Sequence, residues 1–380
     1  MDNQPDLGTL RSAIELACRA PSVHNTQPWR WLLGERSIHL MADRTRQVSA
    51  ADPDGRDLLI SCGAALHHLR VALGGLGWSA TVQYLPNPSD PEHLAAVTVH
   101  PSTPEPDAAE LGAVELGAVE LGAVEASAVE LSAAVTRRRC DRRPSASWPV
   151  PAQHLDLLTA IAQRTAPVRV VPVRDERTRA ELARAMADAS VRQAADPGYR
   201  SELAVWSGRS HAAVDGVLAD SAPAGPVVYG DTVMRSFAQG AMPVAQPVAG
   251  EDDMGELLLI TTATDEPRDR VHAGEAASAI MLTATTLNLA TCPLSQVTEV
   301  PESGAALADR VLHGDAVAQL VMRVAWVPDA ADPMPRTPRR PLDEVIGFLP
   351  GVGQDPRRTQ PWRPAVEVAS SVGTAHGVES

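Results

Sequence analysis

Apolar residues recur at helical spacing over residues 7–20, and the pattern predicts a first helix there. Alternation then predicts short strands at 29–33 and 37–41, around a Gly34-Glu35 turn. Asp52-Pro53-Asp54-Gly55 reads as a turn and helix start, and it feeds a long apolar-periodic helix over 58–73. Strands at 80–85 and 95–100 complete a compact α+β opening. Further on, the pattern predicts a helix at 152–164, a strand at 168–173 and a helix of mixed charge at 176–190. A buried strand at 256–263, a long helix at 272–290, a short helix at 303–312 and a strand at 316–327 follow. Residues 219–250 are rich in Pro, Gly, Ala and Ser and carry no strong period. Such a length is unusual for a plain connection and suits a lid or binding loop.

Two repeats cut across this order. Residues 110–134 read ELGAV three times, then EASAV and ELSAA. A five-residue period advances about 140° per repeat on a 3.6-residue helix, so its Glu residues spiral instead of forming one polar stripe. A partly exposed helical lead-in to Thr136, poorly suited to docking one face, is expected. The second repeat is fainter. Gly63, Ala65, Leu69, Leu73 and Leu76 return at a constant offset as Gly274, Ala276, Ile280, Ala284 and Leu287. Duplication and the chance likeness of two amphipathic helices are both open.

Composition narrows the chemistry. The 380 residues allow two ordinary domains or one large composite, and at 44% hydrophobic the chain is globular. Aromatics are only 3%, so Ala, Val and Leu must build the core. A formal charge of −14 argues against nucleic acid and against anionic membrane surfaces as partners. All 33 basic residues are Arg, which excludes Schiff-base chemistry by lysine and leaves any anion site to guanidinium groups, backbone N–H groups or helix ends. Four scattered cysteines give no C-x-x-C spacing, so neither a disulfide framework nor a Cys-rich zinc site is expected. His67 and His68 lack an i+4 partner, and no metal site is assigned. The opening residues are acidic and polar, and no 18-residue apolar run is evident; cytoplasm is the expected location.

Three stretches could carry chemistry. Ala20-Pro21-Ser22-Val23-His24-Asn25-Thr26-Gln27-Pro28-Trp29 packs prolines, hydroxyls and carboxamides between a helix and a strand. Asn25 and Gln27 each offer donor and acceptor groups, which suit a heterocycle edge or, equally, a capping loop. From Arg137 to Arg143, five of seven residues are Arg, a focused positive site that fits a phosphate monoester or a solvated linker. Arg336-Thr337-Pro338-Arg339-Arg340-Pro341 adds more guanidinium near the last strand, or else forms an exposed tail. Gly74-Gly75-Leu76-Gly77 lies at a helix end and is no dinucleotide fingerprint.

APSVHNTQPW resembles the PSxxNxQPW motif of the nitroreductase superfamily of FMN enzymes. DPDGRDLLISCGAALHHLRVALGGLGW is similar, over some 27 residues, to the Acg-type branch. RRRCDRRP resembles the phosphate motif that opens an ordinary nitroreductase subunit, and residues 336–341 resemble its closing basic motif. Ordinary members are homodimers with FMN at the interface. Here the motifs are divided between the two parts of one chain, so the resemblance implies an α+β, nitroreductase-like intramolecular pseudo-dimer with one FMN site. It divides the chain into a first half (1–108), the lead-in (109–135), a second half (136–347) with its candidate lid, and a disordered tail (348–380).

Residue by residue, the resemblance implies that Arg138, Arg139 and Arg142 hold the phosphate, with Arg336 or Arg339 closing it. Cys140 stands where the family often has Ser, so one hydroxyl contact is missing. Ser22, Asn25 and Gln27 approach the flavin from the first half, and Pro293, Leu294, Ser295 and Gln296 flank its ring from the second. No side chain is assigned a catalytic role. The implied activity passes hydride from NAD(P)H through FMN to a nitroaromatic or quinone-type acceptor. A silent FMN-holding protein with a lid over the flavin is the alternative.

Overall fold

The structure is a computed structural model that describes residues 4–102, 126–223, 225–242, 253–327, 332–350 and 352. The first ELGAV repeats, residues 243–250 of the expected lid and the tail beyond 352 lie outside these residues. The chain opens with α1 (Leu7–Ala17), β1 (Trp29–Leu33), β2 (Ser37–Ala42), α2 (Arg56–Gly75), β3 (Trp78–Tyr84) and β4 (His93–Pro101). Then come α3 (Ala128–Arg137), α4 (Ala152–Thr165), β5 (Arg169–Pro172), α5 (Glu176–Ala195) and α6 (Pro197–Trp206). A hairpin of β6 (Val227–Tyr229) and β7 (Thr232–Met234) precedes β8 (Glu256–Thr262), α7 (Pro267–Thr286) and β9 (Leu289–Leu294). The described chain closes with α8 (Gln296–Glu299), α9 (Pro301–Arg310), β10 (Val317–Trp326), α10 (Leu342–Val345) and β11 (Ile346–Phe348).

Local chemistry sets many of these ends. Asp6 caps α1 by accepting from Thr9 N at 2.7 Å, and Asp175 caps α5 from Thr178 N at 2.8 Å. Ser127 and Glu130 form a capping box that starts α3. That helix differs from expectation, because it does dock: Ala134 and Val135 are buried against Leu282 of α7. The helix expected over 272–290 stops at Thr286 instead, since Asn288 takes a left-handed φ of 59° that ends it. Residues 289–294 then pair with β10. Pro293 is tolerated there because β9 is an edge strand. The stretch expected to lack period contains the β6–β7 hairpin, turned at Gly230 with φ 58°.

Two sheets flank a central helix pair. The first has strand order β11-β1-β2-β4-β3, and the second β5-β8-β10-β9. β11 comes from the far end of the chain yet pairs parallel to β1, with Trp31 opposite Ile346 and Leu33 opposite Phe348. A strand from the later chain, with Phe348 of the expected tail at its end, therefore completes the opening sheet. Between the sheets, α2 and α7 are buried along most of their length. By length and composition α2 could cross a membrane, but it is a core helix packed on all sides.

The crossing of α2 and α7 explains the faint repeat. A Cβ on Gly63 would lie 1.9 Å from Val271 O, and one on Gly274 would lie 1.9 Å from Ile60 O. These are the same contact in reverse, because Gly63 and Ile60 map onto Gly274 and Val271 at the 211-residue offset that also separates the bonded pair His67 and Ser278. Reciprocal contacts of this kind are the mark of two-fold symmetry. Here the axis relates two parts of one chain.

Candidate functional site

The loop after α1 is held in an unusual conformation. His24, Asn25 and Gln27 have φ of 46°, 55° and 51°, a region that non-glycine residues rarely enter. Surrounding bonds must hold it there. Ser22 Oγ accepts from Gln27 N at 3.0 Å, and Ser61 Oγ of α2 accepts from Val23 N at 3.1 Å. Asn25 Nδ2 donates to Gly216 O at 3.1 Å and Pro338 O at 3.2 Å, while its Oδ1 accepts from Arg339 Nη1 at 3.0 Å. Gln27 Nε2 donates to Val214 O at 2.9 Å, and its Oε1 accepts from Arg340 N at 2.9 Å. The two carboxamides thus bind the loop to the later chain. Gln27 is fully buried and lines neither cavity described below, whereas Asn25 and Ser22 line the basic one.

Opposite this loop, the chain leaving α3 delivers the arginines. Arg138, Arg139 and Arg142 line a pocket with Ser22, Asn25, Ser221 and Arg339. Their bonds go to neutral atoms: Arg138 Nη2 to Arg19 O at 3.2 Å, Arg139 Nη1 to Thr136 O at 2.9 Å, and Arg142 Nη1 to Ser221 O at 3.1 Å. Arg138 Nε and Arg139 Nε are buried with no partner among the described residues. Arg143 differs, since Asp141 neutralises it at 2.6 Å. Among the described residues no carboxylate does the same for the other three. Burial, then the neighbouring Arg138 and Arg19, push the Arg139 guanidinium down to about 10. Burial and the same neighbours push Arg339 to about 9. A dense, half-desolvated set of cations without counter-ions is a receptor for an anion.

Arg339 and Arg336 play other parts. Arg339 donates to Cys18 O at 2.8 Å, Arg19 O at 2.9 Å and Ala20 O at 3.0 Å, so it satisfies the carbonyls at the end of α1. Its charge faces the pocket while its donors are already committed. Arg336 lies in an outer groove with Arg137, Asn288 and Asp332 and does not line the pocket.

The basic pocket opens into a larger cleft through shared walls at Pro21, Ser22, Cys140 and Arg142. One side of the cleft is a face of α2, Asp57, Ile60, Ser61 and Ala64, which keeps i, i+3, i+4, i+7 spacing. Ala277 and Met281 of α7 lie beside it, and Cys292, Pro293, Leu294, Ser295 and Gln296 form the far wall. Gln296 Oε1 and His24 Nε2 are buried without partners. Burial, then Arg235, keeps His24 neutral by pushing it down to about 3. Met234, Arg235 and Phe237, from the stretch expected to act as a lid, also line the cleft. Arg142 stacks its guanidinium over Phe237 at 5.2 Å.

Sequence reasoning missed Asp57, Arg235, Phe237 and Glu299. The α2 face was readable, because an acidic residue opens a row of small residues at helical spacing. Nothing local marks Glu299, which reaches the site only through the turn after β9. The two-fold mate of the cleft is filled. Mates of Ser61, Ala64 and Met281 are His272, Glu275 and Arg70. Glu275 is fully buried and accepts from Tyr84 Oη at 2.8 Å and Arg70 Nη1 at 3.0 Å. Tyr84 meets His272 edge-on at 4.7 Å.

No family model matches the chain. A Mycobacterium tuberculosis H37Rv protein named "Putative NAD(P)H nitroreductase Rv3131" is 40% identical over 347 residues, covering 90% of this chain and 92% of the relative. "Putative NAD(P)H nitroreductase acg" of the same strain is 34% identical over 352 residues, covering 91% and 97%. Among solved structures, the nitroreductase NfnB from Mycobacterium smegmatis in complex with NADPH aligns with a TM-score of 0.36 at 16% identity, over 58% of this chain and 98% of that one. A nitroreductase with bound FMN from Bacteroides fragilis aligns at 0.34 and 16%, over 55% and 94%.

Proposed function

The chain belongs to the Acg-type branch of the nitroreductase superfamily, and on that premise we propose that it holds one FMN between its halves and passes hydride from NAD(P)H to a nitroaromatic or quinone-type acceptor. The observation that carries the reading is the set of Arg138, Arg139 and Arg142, converging on the Ser22 loop with no carboxylate among the described residues to neutralise them. The residues present fit the cofactor. Unpaired Arg138 Nε and Arg139 Nε suit a phosphate, and the apolar cleft that continues from them suits a flat ring. Bound there, FMN supplies hydride transfer.

The protein's own part is binding and orientation. Ile60, Ala64, Ala277 and Met281 would press on the ring from the helix pair, and the Cys292 to Leu294 wall would face it across the cleft. Gln296 Oε1, without a donor among the described residues, would accept from a ring N–H. Asn25 and Gln27 act indirectly, by fixing the loop that carries Ser22. Two or three arginine contacts at about 1.5–3 kcal/mol each would give about 3–9 kcal/mol. Micromolar binding needs about 8 kcal/mol.

A second reading, an FMN-holding protein without turnover, draws on Phe237 and its neighbours. Phe237 is almost fully buried over the cleft. A cover that stays closed keeps nicotinamide off the ring. One set of measurements separates the readings. Protein purified yellow that oxidises NADPH with menadione is the enzyme; yellow protein that bleaches only with dithionite is the holder. Colourless protein that ignores added FMN removes both. Arg138→Ala with Arg142→Ala is expected to lower flavin retention at least tenfold, and full occupancy in that variant would remove the phosphate assignment.

A further inference from the structure

The wall shared by the basic pocket and the cleft contains a thiol. Cys140 lines both spaces and is half-buried, whereas Cys18, Cys62 and Cys292 are each at most 4% exposed. Burial pushes the thiols of Cys18 and Cys292 up to about 11 and raises that of Cys62 as well. Desolvated thiols of that kind are unreactive. Cys140 has the opposite surroundings. Arg138 Nη1 donates to its Sγ at 3.6 Å. The Arg139 and Arg339 guanidinium groups are close enough to feel its charge, and Arg142 lines the same pocket. The backbone there is fixed, since Cys140 bridges to Thr291 of β9 and Asp141 N donates to Thr291 O at 2.9 Å.

A second feature marks the place as a receptor. Arg138 is only 5% exposed, lines the pocket beside Cys140, and has an Nε with no partner among the described residues. Asp141, the adjacent carboxylate, is taken up by Arg143. Reactive cysteines occupy electropositive, partly exposed places of this kind. Here the cations that surround the sulfur can also hold an anion formed on it.

We propose that Cys140 is an oxidation site for peroxides, and that the sulfenate formed there closes the basic pocket to a phosphate. With hydrogen peroxide, the thiolate sulfur attacks one oxygen, an S–O bond forms and the O–O bond breaks. Sulfur loses two electrons to the peroxide, and the departing hydroxide takes the sulfenic proton and leaves as water. The sulfenate oxygen then carries the charge, and Arg138, Arg139 and Arg142 receive it as they would a phosphate oxygen. A phosphate monoester now meets a like charge where it would have met free cations, and binds more weakly. The closing of the pocket rests on the FMN reading above; the oxidation itself does not.

The test treats flavin-free protein with limiting hydrogen peroxide and dimedone, which labels sulfenic acids, and maps the label by peptide mass spectrometry. Label should collect on Cys140 and be absent from Cys18, Cys62 and Cys292. No label on Cys140, or equal label on the buried cysteines, overturns the proposal. FMN is then titrated into protein treated with peroxide alone. The treated wild type should bind FMN about tenfold more weakly, and dithiothreitol should restore the affinity. Cys140→Ser should bind FMN equally with and without peroxide. Unchanged affinity in the treated wild type, or an equal loss in Cys140→Ser, overturns the proposal. If Cys140→Ser does not fold, reversal carries the test, and a loss that dithiothreitol leaves in place overturns the proposal. Untreated protein that binds no FMN overturns the FMN reading instead, and the dimedone label alone then decides the oxidation site.

Discussion

At the scale of single residues, the basic motif was the most legible part of the chain. Five arginines in a strongly acidic protein must sit near an anion or in solvent, and the structure gathers three of them in one pocket. What the sequence could not convey was their individual fate. Asp141 removes Arg143 from the set, and Arg339 is absorbed by the end of α1. Asn25 and Gln27 were legible as landmarks but not as loop ties, because their partners at Gly216, Pro338, Val214 and Arg340 lie far along the chain. Asp57 and Glu299, shifted in opposite directions, make a pH prediction. Asp57 has a folded pKa above its unfolded one, so the native state keeps a proton that the unfolded chain loses, and stability falls as pH rises from the ordinary carboxylate range toward that higher value. Glu299 acts oppositely, its contribution being lost only as pH drops from about 4.5 toward about 2. Thermal melts of Asp57→Asn between pH 5 and 8 should be flatter than those of the wild type. A parallel decline in both would contradict the assignment.

At the scale of elements, long periodic helices were legible and their ends less so. α2 and α7 carry enough small and aliphatic residues to be recognised as core, but α7 ends earlier than its apolar pattern because Asn288 turns the chain into β9. Glycine spacing held more information than periodicity did. At Gly63 and at Gly274 the partner backbone comes to the same 1.9 Å from a would-be Cβ. Substituting either by Ala forces the helices apart, and overpacking of this kind costs about 1–3 kcal/mol. Denaturant unfolding of Gly63→Ala and Gly274→Ala should give similar losses near the upper end of that range. Neutral behaviour of one and severe loss for the other would contradict a two-fold axis at that crossing.

At the scale of the whole molecule, the repeat, the crossing and the two sheets describe a chain that carries both parts of a symmetric arrangement, while the cleft beside the basic pocket has, among the described residues, a mate closed by side chains. The reason for the asymmetry is chemical. Where the cleft has Ser61, Ala64 and Met281, its mate has His272, Glu275 and Arg70 closed over by Tyr84. The return of β11 to the first sheet was not legible, since a three-residue strand after a Pro- and Arg-rich stretch has no period to detect. It matters for the site, because the same returning segment brings Arg339 and Arg340 to the Ser22 loop. The proposed function implies one flavin per chain, anchored mainly by its phosphate. Calorimetric titration of flavin-free protein with FMN and with riboflavin, which has the ring but no phosphate, tests this most directly. One FMN per chain is expected, with riboflavin weaker by at least about a hundredfold, the equivalent of about 3 kcal/mol; equal affinity for the two, or two FMN per chain, would contradict the phosphate-anchored site.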